Sequence, residues 1–276
     1  MSRLINFVLI CLFLISCHYS EEVNFALEEK NQESLIKHLS NSTAVLLIPG
    51  DDSKFIGSCA GVFVAPQRIL TAKHCLEPYL PYKKVDISST DASELLKILI
   101  LIDQQAPELE KLEMFQKDWS KIDSIQVPIK LYSQLNDSFY ENQNPSPYRA
   151  VLIATDSNND LALLKVTNPI KHEYVTIANK NIFLGQKIHV IGHPASLEYT
   201  YHQGFVSGER FRLFEEKMQH YLQVSSPIFN GNSGGGAFDA QGNLLGICSI
   251  YLKEVPQISY FVHINEIKKF IEPHIK

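Results

Sequence analysis

An all-β fold is predicted by three features of the chain. Short runs rich in Val, Ile, Phe and Tyr recur along its length, and 13 glycines and 13 prolines are spread between them. Most of the runs are nearly continuous in apolar residues rather than strictly alternating, which suits strands buried in a closed barrel. The composition, 45% hydrophobic and 20% charged, is globular, and 276 residues suit one large domain or two small ones. The formal net charge is −5 and Lys and Arg form no run, so nucleic acid is not an expected partner.

The elements follow in order. Residues 18 to about 43 are polar with scattered apolar positions and read as a tether ending in a short helix. From residue 44 strand-like runs begin: "AVLLIPG", "GSCAGVFVAP" and "RILTAKH". Residues 76–147 are less regular and read as an insertion. Within it "SELLKILILIDQQ" fits strand or helix, "APELEKLEMFQKDWSKIDSI" has helical spacing, and "NDSFYENQNPSPY" is a loop. Strands resume with "YRAVLIAT" and "DLALLKV", then "QKIHVIGHP", "GFVSGERF", "HYLQVSSP", "GGAFDAQGNLLGICSIY" and "ISYFVHI". "DAQG" is a tight turn with Gly242 at positive φ. "INEIKKFIEPHI" is apolar at helical spacing, a C-terminal helix.

The first 17 residues, "MSRLINFVLICLFLISC", stand outside this fold. Arg3, the apolar run from Phe7 to Ile15 and then Ser16 and Cys17 have the layout of a secretory signal peptide. The run is shorter than the roughly 20 apolar residues of a spanning helix. "LISC", Leu14 to Cys17, resembles the bacterial lipobox, which implies cleavage before Cys17, its lipidation, and residence at the bacterial cell envelope, bound to the membrane through an N-terminal lipid. The alternative is an ordinary signal peptide and a secreted protein. Cys59 and Cys75 end two apolar runs joined by "APQR", a hairpin layout that can bring the sulfurs together. An oxidising compartment favours a disulfide there, worth roughly 3 kcal/mol for a loop of this size; a reducing one would leave two buried thiols. Cys248, in "LLGICSIY", reads as a buried small hydrophobe.

Three stretches carry candidate chemistry. "LTAKHC" places His74 at the end of an apolar strand, "SNNDLALLKV" places Asp160 at the entrance of another, and "GNSGGG" places Ser233 on a glycine-rich turn. A serine hydroxyl needs an adjacent base, an imidazole with a pKa near 6.5 suits that role, and a carboxylate can hold the imidazole tautomer. Asp156 is a rival to Asp160, but it sits in a polar turn without the following "LALLK". His193 in "GHP" and His202 in "YHQG" have no base or ligand context and read as structural. A phosphate cradle is not supported, because no Lys follows the glycines. No histidine pair has ligand spacing, so no metal is expected.

In this order and with these neighbours, His74, Asp160 and Ser233 resemble the trypsin-like serine peptidases of the chymotrypsin fold. The resemblance covers roughly residues 44–272, apart from the irregular part before Asp160. It implies two antiparallel six-stranded β-barrels, at about 44–170 (with the 76–147 insertion) and about 183–263, and a helix at about 264–273. It implies a serine endopeptidase acting on protein or peptide substrates through an acyl-enzyme, without a cofactor. By the same resemblance the backbone N–H groups of Gly231 and Ser233 form the oxyanion hole, and Ser249 hydrogen-bonds the catalytic Asp160. Pro227, Ile228, Tyr251 and Ser259 are carried over as the primary substrate pocket, with no carboxylate to select Arg or Lys.

Asn232 departs from digestive-type members, where an aspartate receives the amine freed by zymogen cleavage. It is similar to HtrA-type and other bacterial members that carry "GNSGG", and it implies an enzyme needing no such cleavage. No PDZ-like segment is expected after the final helix, which suits a stand-alone peptidase. The competing readings are an esterase-like hydrolase with the same residues and a peptidase-fold lipoprotein that acts as a binding or scaffold module.

Overall fold

The structure is a computed structural model, and it describes residues 28–49, 55–80, 82–84, 115–117, 120–121, 125–131, 148–214, 217–251, 255 and 257–275. The expected signal segment, Cys17, the start of the tether and much of the 76–147 segment lie outside the described residues. The chain opens with a helix over residues 28–41 (α1). The first six barrel strands in sequence are not all consecutive. They are β1 (Thr43–Pro49), β2 (Phe55–Ala65) and β3 (Arg68–Ala72), then a 3-10 turn (Lys73–Tyr79). A small hairpin-like pair, β4 (Tyr82–Lys84) and β5 (Phe115–Lys117), stands apart as a two-stranded sheet. β6 (Gln126–Leu131), β7 (Tyr148–Asp156) and β8 (Leu161–Val166) complete the first barrel, closed in the order β1-β2-β3-β8-β7-β6. The second barrel comprises β9 (Lys187–Gly192), β10 (Thr200–Phe214), β11 (Lys217–Val224), β12 (Gly236–Phe238), β13 (Leu244–Tyr251) and β14 (Ser259–His263). It closes as β10-β11-β14-β13-β12-β9, and every strand pairing in both barrels is antiparallel. The all-β architecture of two antiparallel six-stranded barrels is thus the observed one.

The continuous apolar runs are explained by burial on more than one side. Phe63, Ile69, Ile129 and Leu164 fill the first barrel, while Ile188, Leu222, Val224 and Phe261 fill the second. A third cluster joins the barrels. It holds Val62, Leu70 and Leu163 from the first, Ile191, Tyr221, Phe238 and Ile247 from the second, and residues from both helices. The C-terminal helix α2 (Ile264–Ile271) supplies Ile264, Ile267 and Ile271 to this seam, the spacing of one helical face. Its N-terminus is capped by the His263 ring, which accepts a hydrogen bond from the Asn265 N–H. The turn at Gly242 has the expected positive φ of +81°, and the Asp239 carboxylate accepts from Gln241 N at 2.9 Å and Asn243 N at 2.8 Å.

Three expectations need correction. The tether is not free along its length: α1 packs on the body, with Leu39 fully buried in the seam and Leu35 against it. Its His38 pairs with Glu173, whose other oxygen accepts from Asn41 at 2.8 Å. The 76–147 segment is not simply inserted, because β6 lies inside it and closes the first barrel against β1 and β7. The stretch with helical spacing contains β5, which pairs with β4 as strand rather than helix.

Candidate active site

The two barrels meet at a cleft of about 370 Å³ lined by residues from both. The first barrel contributes Ile48, Ser58, His74, Pro78 and the Cys59–Cys75 pair; the second contributes Ala195, Ser196, Asn230, Gly231 and Ser233. Cys59 and Cys75 form a disulfide, with Cα atoms 6.1 Å apart, that ties β2 to the turn carrying His74. The hairpin register of β2 and β3 makes that approach possible, pairing Val62 with Leu70.

His74 follows β3 and Asp160 precedes β8, the neighbouring strand, so strand pairing carries the two side chains together. Asp160 sits at φ +52°, the left-handed region that Asp tolerates better than most residues. The turn before it is built by the Asp156 carboxylate, which accepts from Asn158 N at 2.8 Å and Asn159 Nδ2 at 2.8 Å. Asp156 therefore makes the turn, and Asp160 makes the contact. The His74 Nδ1–H donates to Asp160 Oδ2 at 2.7 Å, and the His74 main-chain N–H donates to Oδ1 at 2.9 Å. Ser249 Oγ donates to Oδ2 at 2.6 Å. Three donors on one carboxylate fix its orientation. Burial acts to lower the pKa of His74, but the hydrogen bond and charge of Asp160, with the Glu77 charge, outweigh it and leave the pKa raised above 6.5. With Nδ1–H committed to Asp160, Nε2 is the ring's basic atom.

Ser233 lies on the turn between β11 and β12, held by main-chain bonds rather than side-chain ones. Gly234 N donates to Cys248 O at 2.8 Å, Gly235 N to Asn232 O at 2.9 Å, and Ala60 N to Ser233 O at 2.8 Å. Gly231 and Gly234 have φ of +104° and +81°. A Cβ on Gly231 would overlap His193 O, and one on Gly234 would overlap Ala60 O, so both positions require glycine on two counts. Among the described residues, the N–H groups of Gly231 and Ser233 have no acceptor, although those of Asn232, Gly234 and Gly235 do. Both residues line the cleft, so two main-chain donors are left for a bound group. Asn232 is fully buried, and its amide nitrogen and oxygen have no partner among the described residues.

Of the residues carried over as substrate pocket, Pro227, Ile228 and Ser259 do not line this cleft. Ile228 is buried in the second barrel, and Ser259 is buried with its hydroxyl donating to Ser226 O at 3.2 Å. Pro227 is exposed, and the Tyr251 side chain lies outside the described residues. The cleft wall was not foreseen at Ala195 and Ser196, which have φ of +49° and +63°. The only sequence signal is the Pro and small residues after "IGH". Elsewhere, Glu209, His220 and His263 lie close enough to suggest a metal site. The two rings stack at 3.9 Å with planes 16° apart, so an ion in the plane of one lies out of the plane of the other. His263 Nδ1 is also committed to the helix cap. This cluster does not have the geometry of a metal centre.

A family model described as a trypsin-like peptidase domain matches residues 59–247, and the chain belongs to that family. Among curated proteins it is 33% identical over 120 residues to the periplasmic pH-dependent serine endoprotease DegQ of Escherichia coli K12, covering 43% of this chain and 25% of that protein. It is 34% identical over 99 residues to a probable periplasmic serine endoprotease, DegP-like, of Rhizobium meliloti, covering 36% and 20%. The chain thus matches about a quarter or less of the length of these relatives. Among solved structures, it is similar to the active form of the Rv3671c protease of M. tuberculosis, with a TM-score of 0.59 at 12% identity over 86% of this chain and 82% of that one. At that identity the likeness is one of fold.

Proposed function

We propose that the chain is a serine endopeptidase that hydrolyses peptide bonds through Ser233, His74 and Asp160. One observation carries the reading: His74, paired with Asp160 at 2.7 Å, lines one cleft with Ser233 and Gly231, whose main-chain N–H groups have no acceptor among the described residues. In the first step His74 Nε2 takes the Ser233 proton as Oγ bonds to the substrate carbonyl carbon. The carbonyl oxygen becomes anionic and is held by Gly231 N–H and Ser233 N–H. As the tetrahedral adduct collapses, the C–N bond breaks and His74 returns the proton to the leaving amine, which leaves an acyl-Ser233. Water, deprotonated by His74, then attacks the acyl carbon and releases the acid and free Ser233. Asp160 stays ionised and stabilises the imidazolium.

The neutral, fully buried Asn232 supports activity without a freed N-terminus. A carboxylate in its place would be a buried charge needing a cation, and Asn232 needs none. The signal-like N-terminus, the Cys59–Cys75 disulfide and the periplasmic relatives support export, with lipidation at Cys17 as the anchor. A Cys17→Ser chain found in the same membrane fraction as the unaltered one would overturn the anchor. The peptidase reading is tested by casein hydrolysis with the purified chain: turnover is expected, and it is lost in Ser233→Ala. A folded chain that cleaves simple esters but no casein points to an esterase, and one that cleaves neither points to a scaffold.

A further inference from the structure

We infer that the turn from His193 to Tyr199, between β9 and β10, clamps the oxyanion-binding backbone of Gly231 to the first barrel, with His193 as its positioning residue. The inference rests on the peptidase reading above. His193 is completely buried, and both ring nitrogens are used. Nε2–H donates to Ala44 O of β1 at 3.1 Å, and Nδ1 accepts from Tyr199 N–H at 2.9 Å. Those roles require the neutral ring, and burial pushes its pKa down to about 4. The Tyr199 ring meets the imidazole edge-on at 4.9 Å, and its hydroxyl lies 3.3 Å from Thr43 O and 3.2 Å from Lys130 O. Glu198 pairs with Lys130 Nζ at 2.9 Å, where both side chains are mostly buried. One short turn of the second barrel is therefore tied to β1 and β6 of the first through three successive kinds of contact.

The other side of the same turn is bonded to the Ser233 loop. His193 N donates to Gly231 O at 3.3 Å, and Ala195 N donates to Asn230 O at 2.8 Å. The His193 carbonyl occupies the space that a Cβ on Gly231 would need. The atoms that set the Gly231 peptide are thus main-chain atoms of His193 and Ala195, whose own place is set by the His193 ring. The turn is also strained: Ala195, Ser196 and Tyr199 all have left-handed φ, at +49°, +63° and +58°. Such a conformation is costly for a residue with a side chain and persists only when neighbours over-determine it. A role confined to joining the barrels is already served by Lys130–Glu198 and the Tyr199 hydroxyl. The buried histidine adds a fixed link from β1 to the Gly231 peptide.

The test compares the purified chain with His193→Asn and Tyr199→Phe. The readouts are kcat and KM on a peptide substrate, the inhibition constant of a peptide boronate, and the thermal midpoint. A boronate turns tetrahedral on Ser233 and places an oxygen at the main-chain donors, so it reports on them directly. Losing one such donor outright costs about 100- to 1000-fold in kcat, and His193→Asn, which displaces rather than deletes it, is expected to cost roughly 10- to 100-fold with KM nearly unchanged. Boronate affinity falls by the same factor as kcat/KM, and Tyr199→Phe moves both quantities a few-fold in the same direction. A thermal midpoint that drops while kcat and boronate affinity hold would overturn the inference, as would folded variants with wild-type values of all three. If His193→Asn does not fold, the same split in Tyr199→Phe decides. A wild-type chain with no turnover instead overturns the peptidase reading, and the clamp with it.

Discussion

On the first-barrel side of the cleft, position is set by side chains: Asp160 accepts from the His74 ring, the His74 N–H and the Ser249 hydroxyl. On the second-barrel side it is set by backbone: Ser233 is held by Ala60, Gly234 by Cys248 and Gly231 by His193, all through main-chain bonds, and the glycines leave no room for a Cβ. The difference has a physical basis. On the proposed reading His74 must keep one tautomer as base, which a polar side-chain network can fix. On the same reading the Gly231 and Ser233 N–H groups must face the developing oxyanion, which only a rigid backbone can arrange. Damage to the first side should therefore appear in rate and pH dependence, and damage to the second in folding as well.

Asp160→Asn should have the largest effect, because the amide can hold the wrong His74 tautomer. A fall of about 10⁴-fold in kcat is expected, with an unchanged unfolding midpoint. A comparable loss of stability would erase the distinction between the two sides. Gly234→Ala is the matching change on the backbone side. The new Cβ meets Ala60 O and Thr71 Oγ1 at a φ of +81°, so a loss of about 3 kcal/mol or more in denaturant unfolding is expected. An alanine variant of wild-type stability would show that the loop is not held as described.

The smallest effect concerns pH. The base must be neutral, so kcat/KM should rise with pH through the His74 pKa, which lies above 6.5. Glu77 adds to that upward shift, so Glu77→Gln should move the acid limb slightly to lower pH and leave the plateau intact. An unmoved limb, read from a pH–rate profile, would remove Glu77 from the electrostatics of the site.

The same contrast explains what the sequence made legible. His74, Asp160 and Ser233 were readable because activating a serine demands a base and a carboxylate. Ser249 and Gly231 were readable only through the family resemblance. The wall at Ala195 and Ser196 was not, since left-handed backbone in non-glycine residues has no sequence mark. His193 was read as structural, but its link to the Gly231 turn was not legible, because its two partners, Ala44 O and Tyr199 N, are main-chain atoms. Strand β6 was not read because it falls inside the stretch taken as an insertion; its Pro128 lies opposite Arg149 of β7, beyond the β1 pairing at Ile129 to Leu131. The short helix at the end of the tether was read, but not its packing, because the face of α1 in the seam rests on Leu35 and Leu39 in a polar stretch. Gly236 is required because the Phe238 ring fills the place of its Cβ.

The central claim is that Ser233 is an activated nucleophile in a site assembled from both barrels. The most direct measurement is to treat the purified chain with a fluorophosphonate and locate the adduct by peptide mass mapping. The account predicts one adduct on Ser233, formed faster as pH rises through the His74 pKa and strongly slowed in Asp160→Asn. An unlabelled folded chain, or an adduct on another residue, would contradict it.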